Sequence, residues 1–211
     1  MKMGGKKYEL TDETKTLADG TVLHCIRAVR DFVLVDGTKV HAGDLGGWVE
    51  REDNLSQDGS AWVRDDAEVC GSAKVENDAW VGGKALVCDR ALIYDNARIY
   101  GNANVCGNAR IFGNAVVGGE AIVSGEAQIF GNAEVCDIND YSLFKNTWSS
   151  GQWFTYTRSD KMWAVGCFRG TGEELIAKAY GDSMLSGQCY MAIVRAQEAI
   201  DKAIEKEQRA K

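Results

Sequence analysis

From Gly59 to Cys136 the chain repeats every six residues, thirteen times without a slip, as Gly/Asp/Asn-x-Ala-x-Val/Ile-x. The third position is Ala in every copy, from Ala61 through Ala97 and Ala115 to Ala133. The fifth is always β-branched, from Val63 through Ile93, Ile99 and Ile111 to Val135. A fixed short period of this kind specifies a β-solenoid. A β-branched side chain suits a pleated inner wall, whereas only Ala fits near a corner. The Gly-Asn and Asp-Asn pairs supply the positive φ of a tight corner. Three hexads make one triangular coil of eighteen residues, and coils stack at about 4.8 Å. Thirteen hexads predict about four coils, a prism roughly 20 Å tall.

Folding the sequence by eighteen sorts its side chains into columns. Cys70, Cys88, Cys106 and Ser124 share one, and Glu76, Tyr94, Phe112 and Phe130 another. Asn96, Asn114 and Asn132 form a third, and Trp62 and Trp80 lie one coil apart. Such columns stack on themselves or bond up the ladder. An aromatic column left exposed would instead be an oligomer seam, so Tyr94, Phe112 and Phe130 are the candidate interface residues.

The chain divides into three segments on this reading. Residues 1–58 form a β segment that caps the solenoid. Thr21–Val29 and Phe32–Val35 are strand candidates, Asp36-Gly37 is a hairpin turn, and Leu45 and Trp48 could cover the open apolar end. Residues 59–136 are the β-helix. Residues 137–211 change composition and predict a small α+β domain. There, Gln152–Arg158 and Met162–Phe168 flank a turn at Ser159–Lys161 as a hairpin. A capping box at Thr171 and Glu174 starts a helix running to Tyr180. A longer helix begins near Ser186, with Ile193, Val194, Ala196, Ile200, Ala203 and Ile204 on its apolar side.

The hexads resemble those of left-handed parallel β-helix proteins, the fold of many acyltransferases and γ-type carbonic anhydrases. The run Gly43-Asp44-Leu45-Gly46-Gly47-Trp48-Val49-Glu50, Asn54-Leu55-Ser56 and the following Gly-x-Ala-Trp-Val resemble a family of phage and prophage hexapeptide-repeat proteins. These are variously labelled transferase-like or polymer-forming cytoskeletal. Phe144–Gly151 and Gly170–Ile176 resemble the ends of some phage members. The resemblance implies left-handed coils, a phage or prophage origin and a protein in the host cell cytoplasm.

Function is sought outside the scaffold. A net charge of −7 leaves no basic footprint for direct nucleic-acid binding. No apolar run reaches membrane length, and the Met1–Gly5 start lacks a signal-peptide core. Seven scattered cysteines without a CxxC pair read as reduced thiols, with no metal and no cofactor expected. Acyltransferases of this fold use a histidine base, but His24 and His41 both precede the repeat. No catalytic residue is therefore assigned. The tail gathers Trp148, Trp153, Tyr156, Arg158, Trp163 and Arg169, either as a core of large side chains or as a recognition surface for a host protein or a small nucleotide. The function expected is that of a non-enzymatic oligomer, a trimer by preference, that binds and antagonises a host factor or sequesters a nucleotide-type defence signal. The alternatives are an acyltransferase-like enzyme and a structural virion or self-assembling solenoid.

Overall fold

The computed structural model describes residues 5–209, so the first four residues of the N-terminal start lie outside it. The chain forms two compact units, residues 1–140 and 141–211.

In the first unit all thirteen hexads form two-residue strands, from Trp62–Val63 to Glu134–Val135. Each pairs in parallel with the strand eighteen residues away. The hexad Ala and the Val or Ile two residues later point into the prism and are fully buried in almost every copy. The first residue of every hexad has φ between 58° and 72°, whether Gly, Asp or Asn. The left-handed corner is thus built identically thirteen times. At Asp65, Asp89 and Asp95 the corner carboxylate also accepts from the backbone N–H of the glycine one coil on, at 2.9–3.1 Å. The expected asparagine ladder forms, Asn96 donating to Asn114 at 3.1 Å and Asn114 to Asn132 at 3.2 Å.

The stack holds five coils, one more than the hexads alone provide. The strand Leu45–Val49 pairs in parallel with Glu68–Val69, and Leu55 bridges to Val75. With Trp62–Val63 they complete a first coil. The repeat hides this coil because Leu55 and Val63 lie eight residues apart rather than six. Gly47, moreover, stands where the hexads carry Ala. A Cβ there would sit 2.7 Å from the Ala67 carbonyl oxygen and 2.8 Å from Val63, so only glycine fits.

The antiparallel strands Tyr8–Thr16 and Val22–Ala28 extend one face of the prism into a seven-stranded sheet. The end of the stack is not covered by Leu45 and Trp48, as the sequence suggests. Leu45 is 58% exposed, and the Lys15 ammonium lies over the Trp48 ring at 4.7 Å. Alternation turns Trp48 outward because Val49 takes the inward position, whereas Leu45, on the parity of Val49, is exposed at the start of the strand. Beside this first coil Tyr8, Phe32 and Trp62 pack edge to face at 5.2–6.3 Å. The Tyr8 hydroxyl donates to the Glu52 and Leu55 carbonyls.

Lys7 is buried beside this cluster and donates to the Ala61 carbonyl at 2.7 Å. Burial, and then the Arg30 charge, lower its pKa to about 8 from the usual 10.5. Between these values the unfolded chain binds more protons than the folded one, so stability is expected to rise with pH across that window. Tyr8 acts in the opposite sense. Burial pushes its phenol above the ordinary 10, so the gain should reverse once unfolded tyrosine ionises. Urea midpoints at pH 7.5, 9 and 10 read the effect. Lys7→Met should flatten the rise, and an equal slope in that variant would remove Lys7 as its source.

The second unit is a four-stranded antiparallel meander of Tyr141–Lys145, Trp153–Thr157, Met162–Val165 and Phe168–Gly170. Two helices follow, α1 (Gly172–Asp182) and α2 (Met184–Arg209). The capping box forms, the Glu174 N–H donating to Thr171 Oγ1 at 3.3 Å and the Thr171 N–H to Glu174 at 2.8 Å. Phe154, Tyr156, Trp163, Val165, Leu175, Ile176 and Val194 make the core. Gly187 lets α1 and α2 approach, since a Cβ there would lie 2.2 Å from the Tyr180 ring.

Candidate functional site

The residues singled out in the tail separate by depth. Trp163, 2% exposed, lies at the centre of the core and meets the Tyr156 ring at 4.9 Å and the Phe154 ring edge to face at 6.5 Å. Tyr156 is buried with it. Trp148 packs on Phe154 and Tyr190 at 6.1 and 5.9 Å, with its indole N–H buried and without a hydrogen-bond partner among the described residues. Trp153 is half-buried under the Lys145 ammonium at 5.5 Å. Arg169 donates to the Gly166 carbonyl at 2.8 Å. The structure therefore brings Tyr156, Trp163, Trp148 and Phe154 together as packing rather than as an open stacking platform.

Arg158 leads to a cluster that hydropathy does not reveal. Its Nε donates to Asp201 Oδ1 at 3.1 Å, and Gln197 Nε2 donates to the same oxygen at 3.0 Å. The Tyr156 hydroxyl donates to the other carboxylate oxygen of Asp201 in a short hydrogen bond. Asp201 is 6% exposed and Gln197 is buried. Burial raises the Tyr156 pKa, and the Asp201 carboxylate raises it further. The phenol thus stays a proton donor to the carboxylate at any physiological pH.

Beside this cluster a cleft of about 210 Å³ opens, lined by Tyr156, Trp163, Lys161, Glu198, Lys202 and Glu205 among others. Lys161 and Glu205 pair across it at 3.7 Å. Its charged groups come to two lysines against Glu198, Asp201 and Glu205, a balance that does not favour an anion.

The apolar side expected for the long helix is rotated in the structure. Gly187, Tyr190, Val194, Gln197 and Asp201 face inward, while Ile200 is 45% exposed and Ala196 and Ala203 face solvent. The missed residues did leave a signal. Gln197 and Asp201 stand three and seven positions after Val194, on its own face, with the four-residue spacing at which Gln and Asp bond along a helix.

Exposed apolar side chains gather where the helices meet. Met184 is 68% and Leu185 58% exposed, with Tyr180 and Met191 partly exposed next to them. The Tyr180 hydroxyl reaches the Met191 sulfur at 4.0 Å. The oligomer-interface candidates form a continuous stack, Tyr94 on Phe112 at 4.9 Å and Phe112 on Phe130 at 5.9 Å. Tyr94 and Phe112 are half-buried and Phe130 is buried. The histidines sit in the segment before the hexads. His24 Nδ1 lies 3.3 Å from the Thr11 carbonyl, and His41 lies 3.6 Å from Asp31. Among the described residues no three His, Cys, Asp or Glu side chains converge on one metal position, and no helix is long and apolar enough to cross a membrane.

The YdcK beta solenoid repeat family matches residues 91–107 and 103–119, within the stacked coils. Over 67 residues the chain is 37% identical to a protein named uncharacterized acetyltransferase YdcK from Escherichia coli (strain K12). That stretch covers 28% of this chain and 19% of the relative, so the chain spans about a fifth of the length of the curated protein it matches. The chain thus carries hexapeptide repeats of the β-solenoid type.

Proposed function

We propose that this protein is a non-enzymatic binding protein in which a rigid solenoid carries a helical unit that docks on a protein partner. The observation that carries this reading is the exposed group Met184, Leu185, Tyr180 and Met191 at the α1–α2 junction. Large apolar side chains grouped in water are the mark of an interaction site, and methionine adapts to a partner's contours. The cleft further along α2 offers no competing ligand site, because Asp201 already accepts three hydrogen bonds from its own unit. The resemblance to phage proteins makes a host-cell protein the partner we favour over a nucleotide, for which Trp163 is too deep to stack. Self-association as a trimer belongs to the same proposal.

A second reading, acetyl transfer, rests on the name of the YdcK relative and the fold. It would require a base, and His41 beside Asp31 is the pair to test. Leu185→Glu and Met184→Glu should each abolish capture of the partner from host lysate while leaving the melting temperature within about 2 °C, as expected of surface changes. Sedimentation velocity of the same samples reads the oligomer. Capture unchanged in both variants would refute the docking surface. Release of coenzyme A from acetyl-coenzyme A, lost in His41→Ala, would favour the enzyme.

A further inference from the structure

Helix α2 presents a second face that its own unit does not use. Gly187, Val194, Gln197 and Asp201 turn inward. On the outer side Leu185, Ala192 and Ala199 make one row, and Cys189, Ala196 and Ala203 make the next, each at seven-residue intervals. Leu185 and the four alanines are exposed, and Cys189 is half-exposed. Ile193 and Ile200 widen the face on one side, Ile200 exposed and Ile193 half-buried. No charged residue falls on this face from Leu185 to Ile204, about 30 Å of helix.

A helix face turned to water ordinarily carries charge. This one carries instead the two offset seven-residue rows by which helices pack along one another. Its small side chains suit an axis separation of about 8 Å, the close end of helix packing. The borders of the face point to the partner. Gln188, Arg195, Lys202 and Arg209 run along one side, and Ile193, Ile200 and Glu207 along the other. An antiparallel pair of these helices would set the two basic rows against each other. In a parallel pair in register, each residue of the first row meets the residue five positions later in the second row of the other copy. Lys202 then faces Glu207 of the other copy, and the Arg195 stem lies along its Ile200. Among the described residues Lys202 makes no ion pair within its own chain.

We infer that copies of this chain associate through the outer face of α2, with the helices parallel and in register. The inference rests on the self-association proposed above and gives it a surface separate from the aromatic column of the solenoid.

Sedimentation velocity of the full chain under reducing conditions tests it. The parent should sediment as an oligomer. Ala196→Glu and Ala199→Glu should each weaken association at least tenfold and leave the circular dichroism unchanged. Lys202→Glu should weaken it as well, and adding Glu207→Lys should restore it. Cys189 reads the register, because in this arrangement it lies against Cys189 of the other copy. In a Cys136→Ser, Cys167→Ser background, dissolved oxygen as oxidant should join two chains by a disulfide that Cys189→Ser abolishes. A parent of single-chain mass would overturn the inference. So would folded Ala196→Glu and Ala199→Glu proteins of parent mass, or the absence of the Cys189 cross-link. Met184→Glu, off this face, should lose capture of the host partner yet keep the parent mass, so the docking reading and this one fail separately.

Discussion

Trp163→Ala is expected to cost the C-terminal unit about 3–5 kcal/mol, the range for emptying a buried aromatic site. The indole is almost completely enclosed by Phe154, Tyr156, Val165, Leu175, Ile176 and Val194. These neighbours come from two strands and both helices, so no single segment can collapse into the void. The contact with Tyr156 adds an aromatic pair that truncation also removes. The control is Trp153→Ala, at a half-buried strand position, where a loss below about 1 kcal/mol is expected. Urea unfolding followed by near-ultraviolet circular dichroism distinguishes the two. Equal losses would mean that Trp163 does not organise the core. A stable Trp163→Ala protein that had lost a partner would return this residue to the role of a recognition group.

The second large effect is expected at Asp201. Asp201→Ala removes the acceptor of three donors from a nearly dry position, a change that costs about 3–5 kcal/mol when one partner of a buried charged pair is deleted. The stranded Tyr156 hydroxyl accounts for much of it, because an unmet buried donor loses its full desolvation penalty. Tyr156→Phe alone should cost about 1.5–3 kcal/mol, as for a hydrogen bond to a charged group. In Tyr156→Phe combined with Asp201→Ala the losses should fall well short of adding. A double-mutant cycle with a coupling below about 0.5 kcal/mol would show that the two residues act independently.

The contrast between the two units shows what a sequence can carry. In the solenoid each hexad states its own geometry: a left-handed corner, a small inward residue and a β-branched inward residue. Thirteen copies repeat that statement, and the structure follows it residue for residue. The first coil escaped because steric crowding at Gly47 and a longer span before Val63 replace both marks of the repeat. In the tail the hairpin is legible from its turn and α1 from its capping box, which are local, and the existence of α2 from an apolar periodicity. The inward face of α2 was not. There a polar pair, Gln197 and Asp201, takes core positions because Tyr156 and Arg158 wait on the facing sheet. No hydropathy pattern contains that complementarity, since it joins residues more than forty positions apart. The same holds for the tryptophans. Composition marked the cluster, but only packing decides which ring is buried and which lies open.

The corner geometry also limits how the prism can change length in evolution or by design. Duplicating eighteen residues adds one whole coil, raises the stack by about 4.8 Å and returns every side chain to its own column. Duplicating six would turn everything downstream by one third of a revolution. The thiol stack, the asparagine ladder and the aromatic stack would each be cut and spliced onto a different face. The backbone would accept either insertion equally well, since every hexad makes the same corner. Surface chemistry, rather than the corner, therefore favours whole-coil steps in the length of the solenoid.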